Sequence, residues 1–241
     1  MNPDKDLSYL EHLEILRKKI IIVLGCFILF IVISFIFIDK IIVFLKFPIS
    51  NLKIDLNFIK PQEKLTTYLK IAFFSGIFFS IPFALIQLAN FVTPALKKNE
   101  KSSFYFFVFF TIILFYLGCF LSYRFLAPFV FDFFINFAKS DGVKPIWTIS
   151  EYFNFLLTLI FLTGLSFLYP IILLFLIKIG IISTKTLSKF RRHAILIIFI
   201  IAAIITPTVD MFTQIIIGVV LYILFEITIM IGKVIEVKSV K

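Results

Sequence analysis

Two groups of acids and one short apolar run are where this sequence could do chemistry. Asp210 stands three residues after Pro207, at the end of Ala194–Ile205, an apolar run that begins from the basic cluster Arg191-Arg192-His193. Crossing hydrocarbon as a helix takes about 20 residues, so this run is short. An ionisable side chain in such surroundings is costly and points towards function. Asp210 also fits an N-cap for the next helix in V-D-M-F-T, and the two roles are compatible. Gln214 follows one turn later, and Glu226 lies six residues before Gly232, inside the last apolar run. Glu226 either bonds to a neighbouring helix or acts directly. At the other end of the chain Glu11 and Glu14 are one turn apart and share a helix face, while Glu100 stands among Lys97, Lys98 and Lys101. Local neutralisation, Glu14 by Lys18 and Glu100 by its neighbours, is one reading. The other is a carboxylate site for a cationic ligand, for which a guanidinium is best suited because it makes paired bonds to carboxylate.

Enzymatic chemistry is not expected. No Ser/His/Asp set, P-loop, GxGxxG or HExxH is present. His12 and His193 lie at the ends of different apolar runs without ligand-spaced partners, and Cys26 and Cys119 each stand alone in an apolar run. No metal and no cofactor are expected.

The elements that must position these residues are set by composition. The chain is 61% hydrophobic and 16% charged, with mean hydropathy +1.10, which identifies an integral membrane protein. The net charge of +10 would suggest nucleic acid in a soluble protein. Here the charges lie in the connections, where they set topology and meet anionic lipid headgroups, so no nucleic-acid partner is expected. The opening MNPDKDLSYLEHLE is acidic and polar, unlike the basic n-region of a removable signal peptide.

Along the chain, Ser8-Tyr9-Leu10-Glu11 fits a capping box, and the helix it starts leads into the first span. The apolar runs predict an all-α, polytopic single domain over 1–241, with six transmembrane helices at 20–38, 69–92, 104–126, 152–177, 194–206 and 213–232, the last two short. A polar connection runs from Asp39 to Tyr68, and Pro61-Gln62-Glu63 within it reads as a helix start. Pro82, Pro170 and Pro207 are expected to bend their spans. Pro128 opens Phe129–Phe137, a segment too short to cross and expected to lie at the far interface. Six spans put both termini on one side. The connections on that side carry 15 of the 24 Lys and Arg residues, and the remaining nine are spread over longer loops. The positive-inside rule therefore places both termini in the cytoplasm. No internal repeat of the kind found in inverted-repeat transporters is visible.

Four ordered motifs give these elements a resemblance. His12-Leu13-Glu14-Ile15-Leu16-Arg17-Lys18-Lys19, then Phe91, Pro94, Leu96 and Glu100, then Ile205-Thr206-Pro207-Thr208-Val209-Asp210-Met211-Phe212-Thr213-Gln214, and finally Tyr222, Leu224 and Glu226 occur in the right order between six spans. They resemble the TatC family, the multispanning receptor subunit of the twin-arginine protein translocase. The resemblance implies a concave helical bundle in the cell (inner) membrane that binds twin-arginine signal peptides of folded cargo at the cytoplasmic surface. It implies recruitment of TatA-type and TatB-type single-span partners, self-association in a receptor complex, and transport driven by the proton-motive force. On that basis Glu100 and Glu14 would hold the paired arginines, Phe91 would pack beside the peptide, and Arg17 would shape the site. Pro48 and Glu226 would serve assembly, and Thr206, Asp210 and Gln214 would lie where a partner helix docks. The chain departs from the family in two places. The second Glu of the N-terminal motif is Ile15, and one residue along a helix rotates a side chain by about 100°, so Glu14 is not an automatic substitute. The fourth-span Glu is Leu168, followed by Tyr169, so any role for an acid there is absent or falls to Tyr169 or another polar group.

Two rival readings remain at this point. One is a proton-coupled small-solute transporter using Asp210 and Glu226, and the other is a non-transporting membrane scaffold.

Overall fold

Hydrocarbon offers no hydrogen-bond partners, so an apolar chain crossing it must satisfy its backbone internally, and a helix does so within one segment. The computed structural model describes residues 9–50, 52, 56–95, 98–140, 147–206 and 210–239. Ser8 of the capping box and Pro207 lie outside the described residues, as do the side chains of Glu11, His12 and Glu100. The helices are α1 (Tyr9–Ile36), α2 (Ile38–Leu45), α3 (Glu63–Val92), α4 (Lys98–Leu121), α5 (Ala127–Ser140), α6 (Ile149–Ser166), α7 (Tyr169–Lys178), α8 (Thr184–Lys189), α9 (Arg191–Ile205) and α10 (Met211–Ser239). Two short strands, β1 (Leu56–Asn57) and β2 (Trp147–Thr148), pair in parallel, Leu56 with Trp147 and Asn57 with Thr148.

Five stretches are long and apolar enough to cross a membrane: Leu13–Ile36, Glu63–Val92, Phe104–Ala138, Ile149–Lys178 and Met211–Glu236. The sixth expected span is α9. Its 15 residues reach only about 22 Å at 1.5 Å per residue, short of the ~30 Å hydrocarbon core.

The structure corrects several expected boundaries. The last two spans are not both short, because α10 has 29 residues. It continues past Gly232 because Glu236 is held there, accepting from the Thr184 backbone N–H and hydroxyl at the start of α8. Phe129–Phe137 does not form a separate segment. A π turn, Ser122–Leu126, joins α4 to α5, and the Ala127 N–H reaches Ser122 C=O. The wider turn absorbs the hydrogen bond that Pro128 cannot make. Pro82 lies inside α3, which passes through it without interruption. At Pro170, where a bend is expected, the helix is interrupted, with α6 ending at Ser166 and α7 starting at Tyr169. The connection after Asp39 is not wholly polar, since it opens with α2 and a 3₁₀ turn, Phe47–Ile49, in which Pro48 is buried.

The helices divide into two compact units, Met1–Ile41 with Tyr68–Ile112, and Ile42–Thr67 with Ile113–Lys241. In the first, α1 meets α3 at Gly76, where an added Cβ would come within 2.5 Å of Ile31 Cγ1. Phe27 packs edge-on against Phe73 at 5.4 Å, and Phe30 lies 5.6 Å from Phe83. Along the membrane-spanning part of α1, Ile21, Ile28 and Val32 point outward, a surface suited to lipid.

The second unit has the larger core, around Phe115, Phe131, Tyr152, Phe153 and Leu156. Gly164 lies against Cys119 and Phe115, and Gly118 against Phe167. Three polar side chains fix the connections to this core. The Tyr123 hydroxyl donates to Phe44 C=O and the Tyr152 hydroxyl to Leu45 C=O, each at 2.6 Å. These are among the last carbonyls of α2, which have no partner inside their own helix. The buried Glu63 carboxylate accepts from Ile59 N–H at 2.9 Å, Lys60 N–H at 3.3 Å and Ser150 N–H at 3.0 Å. The first two bonds cap the start of α3, as Pro61-Gln62-Glu63 suggested. The third ties that start to α6, beside the β1–β2 pair.

Replacing Glu63 therefore leaves three amides without their acceptor. Glu63→Ala is expected to lower the thermal melting midpoint of the purified protein in detergent by several degrees and to speed hydrogen exchange at the Ser150 amide. Glu63→Gln keeps one acceptor oxygen and is expected to lose less. An unchanged midpoint together with unchanged Ser150 exchange would refute the bracket.

Candidate functional site

The first unit carries an open groove of about 310 Å³ between α1 and α3. Helical periodicity builds it. Leu16, Lys19, Ile20, Val23 and Leu24 supply one wall and Ala84, Gln87, Leu88 and Phe91 the other. Each set recurs at three- and four-residue steps, so each forms a stripe on one helix face. The walls are aliphatic apart from Phe91 and one polar pair, Lys19 Nζ donating to Gln87 Oε1 at 3.5 Å. Phe91 is half-buried, one residue before α3 ends. The Thr93 hydroxyl then donates to Ala89 C=O at 2.6 Å, and a 3₁₀ turn containing Pro94 follows. The Tyr105 hydroxyl donates to Asn90 Oδ1 at 2.8 Å and so holds α4 beside the end of α3.

The expected signal-peptide residues all fall in this unit. Glu14 and Arg17 are exposed on α1 and are not among the residues that line the groove. Glu14 forms a 3.0 Å ion pair with Lys18, one turn on, which is the local neutralisation that spacing allowed. Glu100 is the third residue of α4. Of the three whose side chains are described, Phe91 lines the groove and Glu14 and Arg17 do not. Sequence reasoning did not pair Lys19 with Gln87 or place either in a groove. The three- and four-residue spacing of Leu16, Lys19, Ile20 and Val23 was the available signal.

The other named residues lie in the second unit. Asp210 caps α10, accepting from Thr213 N–H at 2.6 Å. Thr206 is buried, its hydroxyl turned back to Ala203 C=O at 3.1 Å, where the chain leaves α9 in an extended conformation. The Gln214 side-chain amide donates to Phe199 C=O at 3.1 Å, so it is engaged with α9 of its own chain. Phe212 stacks on Phe133 of α5 with ring centroids 3.8 Å apart. Pro48 sits at the turn against which α5 packs. Glu226 accepts from Arg191 Nη2 at 2.8 Å and from the Tyr222 hydroxyl at 2.9 Å, so it bonds to the neighbouring helix α9. Tyr169, next to the Leu168 departure, donates its hydroxyl to Leu221 C=O, a link from α7 to α10.

Asp210 and Glu226 do not form one site. Sixteen residues on a helix separate them by about 24 Å, and each has its own partners. At that separation no proton passes directly from one to the other.

Comparison with known proteins agrees with this arrangement. The family described as Sec-independent protein translocase protein (TatC) matches residues 11–219. The chain is 36% identical over 227 residues to TatCy of Bacillus subtilis strain 168, covering 94% of this chain and 89% of that protein. It is 33% identical over 241 residues to TatC of Magnetococcus marinus, covering 99% and 88%. The crystal structure of the twin arginine translocase receptor TatC in DDM superposes with a TM-score of 0.80 at 33% identity, over 92% of this chain and 99% of that one. The match takes in α1, α3 and α4, which build the groove and its end, and α9 with its link to α10, and it shows that this chain is a multi-pass membrane protein of the TatC family, a family of protein translocase components rather than enzymes.

Proposed function

We propose that this chain is the receptor subunit of a twin-arginine export system, binding the signal peptides of folded cargo at the cytoplasmic ends of α1, α3 and α4. The observation that carries the reading is the groove of the first unit. Its aliphatic walls end at Phe91, and the acids Glu14 and Glu100 belong to the two helix ends nearest in sequence. Glu100 and Glu14 hold the paired arginines, Phe91 packs against the peptide, and Arg17 shapes the surface around it. Glu14 must give up Lys18 to do so. An exposed pair spaced i,i+4 is worth only roughly 0.3–0.5 kcal/mol, so a guanidinium that makes two parallel bonds to the carboxylate displaces the lysine readily. Because Ile15 stands where the family carries an acid, Glu100 bears more of the recognition here.

On this reading both termini face the cytoplasm and the protein sits in the cell (inner) membrane. TatA-type and TatB-type single-span subunits meet it near Thr206, Asp210 and Gln214, on the opposite side from the arginine site. Pro48 and Glu226 support assembly of the receptor complex, in which copies of the chain associate. The proton-motive force drives passage of the cargo. Gln214 serves docking by fixing the α9–α10 surface through Phe199 rather than by reaching out to the partner.

Three outcomes test these assignments. Glu100→Ala is expected to cut crosslinking of a twin-arginine peptide to the α3–α4 turn at least tenfold and to stop export of folded cargo; retention of both removes Glu100 from the site. Lys18→Gln, which frees Glu14, is expected to tighten peptide binding about twofold, the equivalent of the lost ion pair; weaker binding would mean that Lys18, not Glu14, contacts the peptide. Gln214→Leu is expected to weaken co-purification of the single-span partners and leave peptide affinity unchanged, whereas loss of peptide binding would join two sites that are separate here.

A further inference from the structure

The π turn between α4 and α5 carries a cation that no carboxylate pairs with among the described residues. Arg124 is exposed, and its guanidinium lies over the Phe47 ring at 5.1 Å and the Phe125 ring at 5.9 Å. Around it is an exposed aromatic rim. Phe44 stacks on Tyr123 at 4.6 Å, Phe47 lies 6.0 Å from the same ring, and Phe125 points outward. Lys46, also exposed, immediately precedes Phe47. The Tyr123 hydroxyl is turned inward to Phe44 C=O, so this rim presents cations and ring faces and keeps its phenol for the backbone.

Depth identifies the ligand. The third apolar stretch starts at Phe104, and twenty residues of helix later, about 30 Å, the chain reaches Arg124. That distance is the thickness of the hydrocarbon core, so Arg124 emerges at the opposite headgroup layer. Aromatic side chains concentrate there, and a long basic side chain extends its charge into the same layer. A guanidinium with its face on aromatic rings keeps its edge donors for a planar fork, the geometry that matches a phosphate. We propose that Arg124, assisted by Lys46, binds the phosphate of an anionic phospholipid in the leaflet on the side of the first and third connections. The site depends on the chain spanning the membrane and not on its role as a receptor.

Trp147 is the single tryptophan, so a local optical probe can be built. Phe125→Trp in a Trp147→Phe background places the only indole next to Arg124. In mixed bilayers, phosphatidylglycerol brominated high on its acyl chains is expected to quench this indole with about fivefold selectivity over equally brominated phosphatidylcholine, the preference one basic side chain confers near an anionic surface. Arg124→Gln on this background is expected to bring the selectivity to about unity, and Arg124→Lys to retain part of it. No selectivity in the starting protein, or undiminished selectivity in Arg124→Gln, overturns the proposal. Loss of selectivity when inorganic phosphate replaces chloride at constant ionic strength also overturns it, because the site then takes free phosphate. If Arg124→Gln does not fold, Lys46→Gln decides: a reduced selectivity supports the site and an unchanged one refutes it.

Discussion

The connections on one side of this protein are held by three side chains that take up loose backbone groups. Tyr123 and Tyr152 close the end of α2, each donating to one of its final carbonyls. Glu63 does the reverse at the start of α3, where its carboxylate gathers three N–H groups. Both tasks follow from one constraint: a helix leaves four donors and four acceptors unsatisfied at its ends, and near a membrane an unsatisfied backbone group is costly. The β1–β2 pair adds a small ladder between the same connections. With these ends fixed, α4, α5 and α6 pack around Phe115, Phe131 and Tyr152, and the π turn can carry Pro128 without breaking the helix.

The groove of the first unit uses a different principle. Its walls are apolar stripes, and its one polar pair, Lys19 with Gln87, makes a long bond of 3.5 Å. Glu14, assigned to arginine recognition, is outside the walls, in water, where a charged peptide loses little hydration on arrival. Glu14 starts in an exposed pair with Lys18, so exchanging one cation for another costs little. On an open surface of this kind strength comes from paired geometry and not from burial.

Much of this was legible in the sequence. Hydropathy located the long helices, since a span must be continuously apolar to persist in lipid. Short-range chemistry was legible too: the Asp210 cap three residues before Thr213, the Glu14–Lys18 pair four residues apart, and the Glu63 helix start. Contacts between residues distant in sequence were not. Nothing local to Glu63 indicates Ser150, 87 positions away, and nothing near Glu226 indicates Arg191, 35 positions earlier. Two of the misplaced boundaries have identifiable causes. α10 outlasts its apolar run because Thr184 holds Glu236, and α4 continues into α5 because a π turn accommodates Pro128. A tertiary partner sets the first and a local change of helix type the second.

The short helix α9 is best understood through its fastenings. Arg191 at its first residue is tied to Glu226, and Phe199 at its middle to Gln214. Beyond its end, Asp210 caps α10 and Phe212 stacks on Phe133. Asp210 and Glu226 are about 24 Å apart along α10, close to the ~22 Å length of α9, so the pair forms a hairpin matched at both ends. A span too short for the hydrocarbon can be accommodated by thinning the bilayer, by side chains reaching out, or by association with other spans. Fastened in this way, α9 cannot slide along α10 to reach either surface. The mismatch of about 8 Å between helix and hydrocarbon therefore falls on what surrounds α9, which is lipid or a partner helix. Beyond the exposed basic first turn, Arg192 and His193, its outward residues Leu196, Ile197, Ile200 and Ile204 are apolar and suited to either.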